Sequence, residues 1–276
     1  MSINPSRVLG ALLALCTVSA CAATASHAHS LVSTTRGPDQ PSSTAAPAPS
    51  PTPKPKPKSL EWYVAQVPEF APAPPARLTT PLPTDAPPFW LRVPTDQKVA
   101  FITIDDGGLA RPADVPAFIR EAHIPVTLFL NSPAAEEHTD YFTAIEAAGG
   151  VVENHTIHHE SLRGRSYEFQ RREICGSADK LEHLFGERPT LFRPPFGDHD
   201  ATTIRAARDC GAKALFYWTE TVNEGYVRYQ TPDKVVRPGD VLLMHFRPAL
   251  MADLLGALKA IHKAGLTPAL LEDYVR

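Results

Sequence analysis

Phe101-Ile102-Thr103-Ile104-Asp105-Asp106-Gly107-Gly108 is an apolar run that ends on two adjacent carboxylates and two glycines. Val99 to Ile104 is almost wholly apolar or β-branched, the pattern of a buried strand. Successive side chains on a strand point to opposite faces, so Asp105 and Asp106 cannot both enter one core while the backbone stays regular. The chain is therefore expected to turn here. The glycines allow the turn, leaving one carboxylate to hold a cation and its neighbour to handle protons. Taken alone, the stretch is equally compatible with an ordinary turn or helix cap after a strand, so the rest of the chain has to decide.

Working outward, Val115, Phe118, Ile119 and Ala122 recur at helical spacing, Val126 to Leu130 reads as a strand, and Tyr141 to Ala148 as a helix ending at Gly149-Gly150. Val151-Val152 leads into His155. Ile174, Ala178, Leu181 and Phe185 mark a long helix stopped by Gly186, and Thr190 to Phe192 runs into Arg193-Pro194-Pro195. A short helix is expected over about 201–210 and a strand over Ala214 to Trp218. Val241 to Met244 reaches His245, Met251, Leu254, Leu255 and Leu258 stripe a last helix, and a final strand lies near Thr267 to Leu271. Such alternation implies parallel strands with right-handed crossovers. Its six or seven repeats favour an α/β fold of distorted (β/α) barrel type over an open sheet. Asp105, Asp106, His155, Arg193, Trp218 and His245 all fall at or just past the carboxyl ends of these strands, the end where such folds bind ligands.

The 276 residues leave room for one sizeable domain plus appendages, and a formal charge of −3 gives no nucleic-acid footprint. Arg7 precedes an apolar core, Val8 to Val18, too short to span a membrane as a mature helix but suited to a signal segment over residues 1–20. Val18-Ser19-Ala20-Cys21 resembles a bacterial lipobox, which implies a lipid on Cys21 and an anchor at the outer face of a cell membrane; ordinary secretion is the alternative. Residues 21–58, with Lys54, Lys56 and Lys58 alternating with prolines, cannot bury enough apolar surface to fold and read as a disordered Pro-rich stalk. In polyproline geometry the segment from Pro38 to Lys58 would reach on the order of 60 Å. Residues 59–96 keep the prolines but add Leu60, Trp62, Tyr63, Phe70, Phe89 and Trp90, so they are expected to form a strap packed on the domain at 97–276. Of four cysteines, Cys16 leaves with the signal and Cys21 carries lipid. Cys175 and Cys210 then form an even pair suited to a disulfide in an oxidising compartment, two buried free thiols being the alternative.

Asn154-His155-Thr156-Ile157-His158-His159 places three imidazoles within five residues. If a helical turn starts here, His155 and His159 share a face, with His155 and His158 the competing pair. Two imidazoles and a carboxylate with open positions suit Zn2+, with Co2+, Ni2+ or iron also compatible, and such an ion acidifies water and polarises a carbonyl. Arg193, set by rigid prolines, is placed to pair with a rim carboxylate and keep it ionised. His245 brings to the end of an apolar strand a group able to protonate a leaving group near neutral pH.

These residues resemble the polysaccharide deacetylases, carbohydrate esterase family four. Thr103-Ile104-Asp105-Asp106-Gly107, His155-Thr156 through His159, Arg193-Pro194-Pro195-Phe196-Gly197 and Leu242 to His245 are similar to four ordered motifs of that family, over about residues 97–274. The resemblance implies a distorted barrel in which Asp106, His155 and His159 hold the metal and Asp105 is the general base. It further implies that Arg193 orients Asp105, that His245 is the general acid, and that Pro195, Phe196 and Trp218 line the substrate. It also implies removal of acetyl groups from an N-acetylated glycan polymer such as peptidoglycan, or from O-acetylated xylan, by a chain expected to be monomeric. Four features depart from the pattern: Gly108 and Glu160 stand where proline is usual, the aspartate expected near Trp218-Thr219-Glu220-Thr221 is missing, with Glu220 a partial substitute, and the second aromatic common there is not evident. Two rival functions remain: a wall-associated lipoprotein that binds metal and glycan without turnover, and a glycosidase. Adjacent carboxylates fit the second poorly, since they cannot readily flank a glycosidic bond.

Overall fold

The computed structural model describes residues 54–275; the expected signal segment, Cys21 and most of the expected stalk lie outside them. In chain order the elements are α1 (Leu60–Val64), β1 (Phe89–Trp90), β2 (Val99–Asp106), α2 (Val115–Glu121), β3 (Thr127–Leu130), α3 (Ser132–Glu137), α4 (Thr139–Glu146), β4 (Val151–Asn154) and α5 (Tyr167–Phe185). There follow β5 (Leu191–Phe192), a 3-10 turn (Pro195–Gly197), α6 (Ala201–Asp209), β6 (Ala214–Phe216), β7 (Glu220–Asn223), β8 (Tyr226–Tyr229), β9 (Val241–His245), α7 (Leu250–Lys263) and β10 (Thr267–Ala269).

One sheet runs in the order β1-β6-β5-β4-β3-β2-β9-β7-β8, with β10 added beside β2, and curls into a half-barrel. Every pairing between named strands is parallel except the β7–β8 hairpin. The strand expected at Ala214 to Trp218 stops at Phe216. Only Tyr217, Trp218 and Thr219 separate β6, which pairs with β5, from β7, which pairs with β9. Both arms of the curled sheet thus meet on one short run of chain.

Alternation along β2 sorts the side chains into two cores. Ile102 and Ile104 join Leu128, Leu242 and Met244 under the helices, against Phe118, Phe142, Leu254 and Leu258. Val99 and Phe101 face inward with Phe129, Phe216 and Val241. Each such side chain, fully buried, contributes roughly 1.5–3 kcal/mol. Thr103 and Asp105 continue the inward set, so the interior turns polar toward its open end.

Capping fixes the longer helices. Ser166 Oγ accepts from Phe169 N at 3.2 Å to start α5, Gly186 in left-handed conformation (φ 83°) ends it, and Asp200 with Thr203 forms a capping box on α6. Cys175 on α5 and Cys210 at the end of α6 are joined as a disulfide with Cα atoms 4.9 Å apart. Ahead of β2, Tyr63 is buried with its ring 5.7 Å from that of Phe118, Val67 and Phe70 pack on the outer core, and Phe89 pairs with Leu215.

Candidate active site and metal centre

β2 continues through both aspartates before it turns. Asp105 keeps the inward register and is buried, while Asp106 takes φ 80° and Gly107 φ 94°. A Cβ at Gly107 would lie 2.9 Å from Phe142 Cζ, so glycine is needed for space as well as for backbone geometry. The turn lets both carboxylates face one imidazole: His155 Nε2 is 3.7 Å from Asp105 Oδ2 and 3.6 Å from Asp106 Oδ1.

The expected helical turn at the histidines does not form. Residues 155–160 are a loop with Thr156 (φ 74°) and His159 (φ 55°) in left-handed conformation, and hydrogen bonds from neighbouring elements hold it. Asn131 Nδ2 donates to His155 O at 2.6 Å, Ser177 Oγ to Thr156 O at 3.0 Å, Thr156 N to Asn154 Oδ1 at 3.0 Å, and His159 N to Thr156 Oγ1 at 3.2 Å. His159 Nε2 thereby comes 3.4 Å from Asp106 Oδ1, and the rings of His155 and His159 stand 4.9 Å apart. His158 points elsewhere, its Nδ1 2.8 Å from the buried Glu173 Oε1 on α5.

Asp106, His155 and His159 offer three ligand atoms within 4.8 Å of one another. His155 Nδ1 sits 2.6 Å from Arg193 O; a carbonyl only accepts, so Nδ1 carries the hydrogen and Nε2 is left bare. Burial first, opposed by Asp106, holds the His155 pKa down to about 3, which keeps the ring neutral. Asp106 Oδ1 is buried without a hydrogen-bond partner while both imidazole nitrogens face it. A buried carboxylate oxygen left so is costly, and a divalent cation among these three donors would satisfy it; the residues fit the group.

Asp105 and His245 are register partners on adjacent strands, so their side chains leave the sheet on one face. Arg193 is wholly buried. It donates from Nη1 to Asp105 Oδ1 at 2.7 Å and to Thr103 Oγ1 at 2.8 Å, and from Nη2 to Tyr217 O at 3.0 Å, with its guanidinium 4.3 Å from the Phe129 ring centroid. Burial raises the Asp105 pKa, and Arg193, His245 and His159 pull it back. Glu220 does not substitute for the missing aspartate. It lies in the row of Leu242 and Ile102, which face the helices, and accepts from Thr219 Oγ1 at 2.6 Å; Thr103 Oγ1 and Tyr217 O accept from the Nη groups instead, and Arg193 Nε has no hydrogen-bond partner among the described residues.

A family model described as polysaccharide deacetylase matches residues 92–215. The chain belongs to that family. An uncharacterised protein of Streptomyces coelicolor is 40% identical over 194 residues, covering 68% of this chain and 78% of the relative. A peptidoglycan-N-acetylglucosamine deacetylase of Bacillus cereus is 26% identical over 175 residues, 62% of this chain and 63% of its own. A carbohydrate esterase family 4 pseudoenzyme of Bacillus anthracis shares the fold with a TM-score of 0.58 at 16% identity, over 68% of this chain and 69% of that one.

Around this site the rim is aromatic. Phe196, 63% exposed and at φ 61°, stands edge-on to His159 with centroids 4.7 Å apart. Gly197 holds it there: a Cβ at that position would fall 1.9 Å from Tyr217 Cε2. Tyr217 stacks on Trp218 at 3.9 Å and 15°. Of the three residues expected to line substrate, Phe196 is exposed and Trp218 half-buried, whereas Pro195 is buried beneath the turn and its carbonyl takes Asp198 N at 3.0 Å. Tyr217, Asn131 and Glu173 escaped the sequence reading. The adjacency of Tyr217 to Trp218 was the one available signal, since nothing local marks Asn131 or Glu173 as partners of a loop more than ten residues away.

Proposed function

We propose that this deacetylase is a divalent-metal-dependent hydrolase that removes acetyl groups from N-acetylated cell-envelope glycan, peptidoglycan first, and that O-acetylated polymer is a secondary substrate. The observation carrying it is the convergence of Asp106, His155 and His159 beside an Asp105–His245 pair on one face of neighbouring strands. The three ligands would hold Zn2+, Co2+ or Ni2+, which would supply the charge that polarises the acyl carbonyl and acidifies nearby water. Asp105 takes the proton of the water that attacks the acetamide carbon, and Arg193 favours the ionised form it needs to do so. His245 gives a proton to the departing nitrogen, so acetate and a free amino sugar leave. Phe196 and Trp218 bound the acyl group on the aromatic side of the mouth.

The named activity of the Bacillus cereus relative supports the choice of peptidoglycan. The family contains a pseudoenzyme, but here the base and acid positions are both filled. We also propose that a lipid on Cys21 holds the protein at the outer face of the cell membrane and that it acts as a monomer. Among the described residues no helix is long and apolar enough to cross a membrane, and the lipobox-like Val18-Ser19-Ala20-Cys21 supports the anchor. Acetate release measured on peptidoglycan, chitin oligomers and acetylated xylan should be abolished by chelator and restored by zinc or cobalt. No acetate from any of them under any metal would leave a glycan-binding lipoprotein without turnover. Cys21→Ser should move the protein out of the membrane fraction.

A further inference from the structure

The β7–β8 hairpin extends the mouth beyond the groups the reaction uses. β7 lies on the far side of β9 with Thr221 beside Leu243, and continuing that register by two residues brings Asn223 level with His245. Arg247 Nη1, donating to Asn223 Oδ1 at 3.2 Å, ties the two segments together. β8 then sets Tyr226 against Asn223 and Arg228 against Thr221. The opposite face of the hairpin is accounted for, since Val222, Val227 and Tyr229 pack into the core under the helices. Alternation therefore puts Asn223, Tyr226 and Arg228 on the inner face, in rows that begin at Asp105 and Thr103.

Tyr226 is 74% exposed in that row. Two strand spacings place it roughly 10 Å beyond His245, farther than the sugar bearing the reacting acetyl group reaches. The hairpin that carries it is fixed. Glu224 (φ 54°) and Gly225 (φ 79°) make a two-residue turn whose twist suits the strands, and Gly225 N donates to Asp253 Oδ1 at 2.7 Å. Gly256 lets α7 press against the turn, because a Cβ there would lie 2.4 Å from Gly225 O.

We infer that Tyr226 is a distal glycan subsite. Its ring face packs against a further sugar of the polymer whose acetyl group is being removed, and Asn223 and Arg228 offer hydrogen bonds to that sugar's hydroxyls. The inference rests on the proposed deacetylation and deepens it: the site is built for a chain, with contacts continuing past the reacting unit along β9, β7 and β8.

Defined N-acetylglucosamine oligomers, dimer and hexamer, test it. Tyr226→Ala should raise KM for the hexamer about five- to tenfold, with kcat and both dimer constants unchanged, and Tyr226→Phe should keep the wild-type value because only the ring face is used. Calorimetric binding of the two oligomers reads the same preference without turnover: the wild type should bind the hexamer more tightly, and Tyr226→Ala should erase the difference. Length-dependent binding without acetate would sink the proposed reaction and leave this subsite standing. Acetate release with no length dependence, an equal change on both oligomers, or a change only in the oligomeric state of Tyr226→Ala would overturn the subsite.

Discussion

Arg193→Leu would strand the Asp105 carboxylate in the barrel interior against Phe129. The two side chains are 0% and 3% exposed and 2.7 Å apart, so solvent contributes almost no screening. Removing one member of such a pair costs about 3–5 kcal/mol, mainly because the remaining charge stays buried and uncompensated. The Thr103 hydroxyl and the Tyr217 carbonyl lose a donor as well, within the same total. The double variant Arg193→Leu/Asp105→Asn carries neither charge. Its loss of stability should fall short of the sum of the single losses by at least about 2 kcal/mol. Urea unfolding followed by circular dichroism at pH 7, in chelator so that metal loading does not differ between variants, measures all four corners of the cycle. Costs that add within about 0.5 kcal/mol would refute the pairing as the reason Arg193 is buried. In activity, Arg193→Lys should not rescue Arg193→Leu, because one ammonium cannot reproduce the fork that spans Asp105, Thr103 and Tyr217 O.

His159→Ala should lose bound metal after dialysis against dilute zinc, whereas His158→Ala, whose ring is held by Glu173, should retain it; the reverse result would shift the ligand set by one residue. Replacing Cys175 and Cys210 together by alanine opens a link spanning 35 residues and should lower unfolding free energy by about 4 kcal/mol on the chain-entropy account, and a loss below about 1 kcal/mol would contradict that account here. Burial, with Asp240 adding to it, raises Glu220 to about 8; burial and then Glu187 raise Glu146 to about 7; burial raises Asp253 to about 6. Each folded carboxyl group then holds its proton above the pH at which the unfolded chain releases it. Stability should therefore fall as pH rises from about 4.5 to 8, giving a lower Tm at pH 8.5 than at pH 5.5, and Glu220→Gln should flatten the slope. An equal or higher Tm at pH 8.5 would contradict this reasoning.

Strands were legible wherever an apolar run ended on a polar residue, as at Ile104-Asp105 and Met244-His245, because burial on both faces leaves a continuous signal. The hairpin of β7 and β8 was not. One of its faces lines the open mouth, so Tyr226 and Arg228 break the apolar pattern, and its turn uses Glu224 in a conformation that asparagine or aspartate would have advertised. α3 follows Asn131 with a proline in its first turn and spans six residues, too few to show a period. Among the site residues, the carboxylate pair and His155 could be named from spacing, which left His158 and His159 competing until the family resemblance favoured His159; a loop with two left-handed residues, not a helical face, is what brings His159 to Asp106. The duty of His158 depends on Glu173, 15 residues away on α5, and no local pattern carries that.

β2 sits at the middle of the sheet yet precedes most of it in the chain. The hydrogen bond from Thr103 to Leu242, which lies across its pairing with β9, joins residues separated by 139 positions. A growing polypeptide therefore displays a strand of continuous apolar character long before the segment that covers that edge exists. Until Val241 arrives the edge is a template for any other extended chain, which makes assembly slow and leaves shortened products prone to clump. A stop between the histidine loop and β9 should thus yield insoluble material, even though the aspartates and that loop have by then been made.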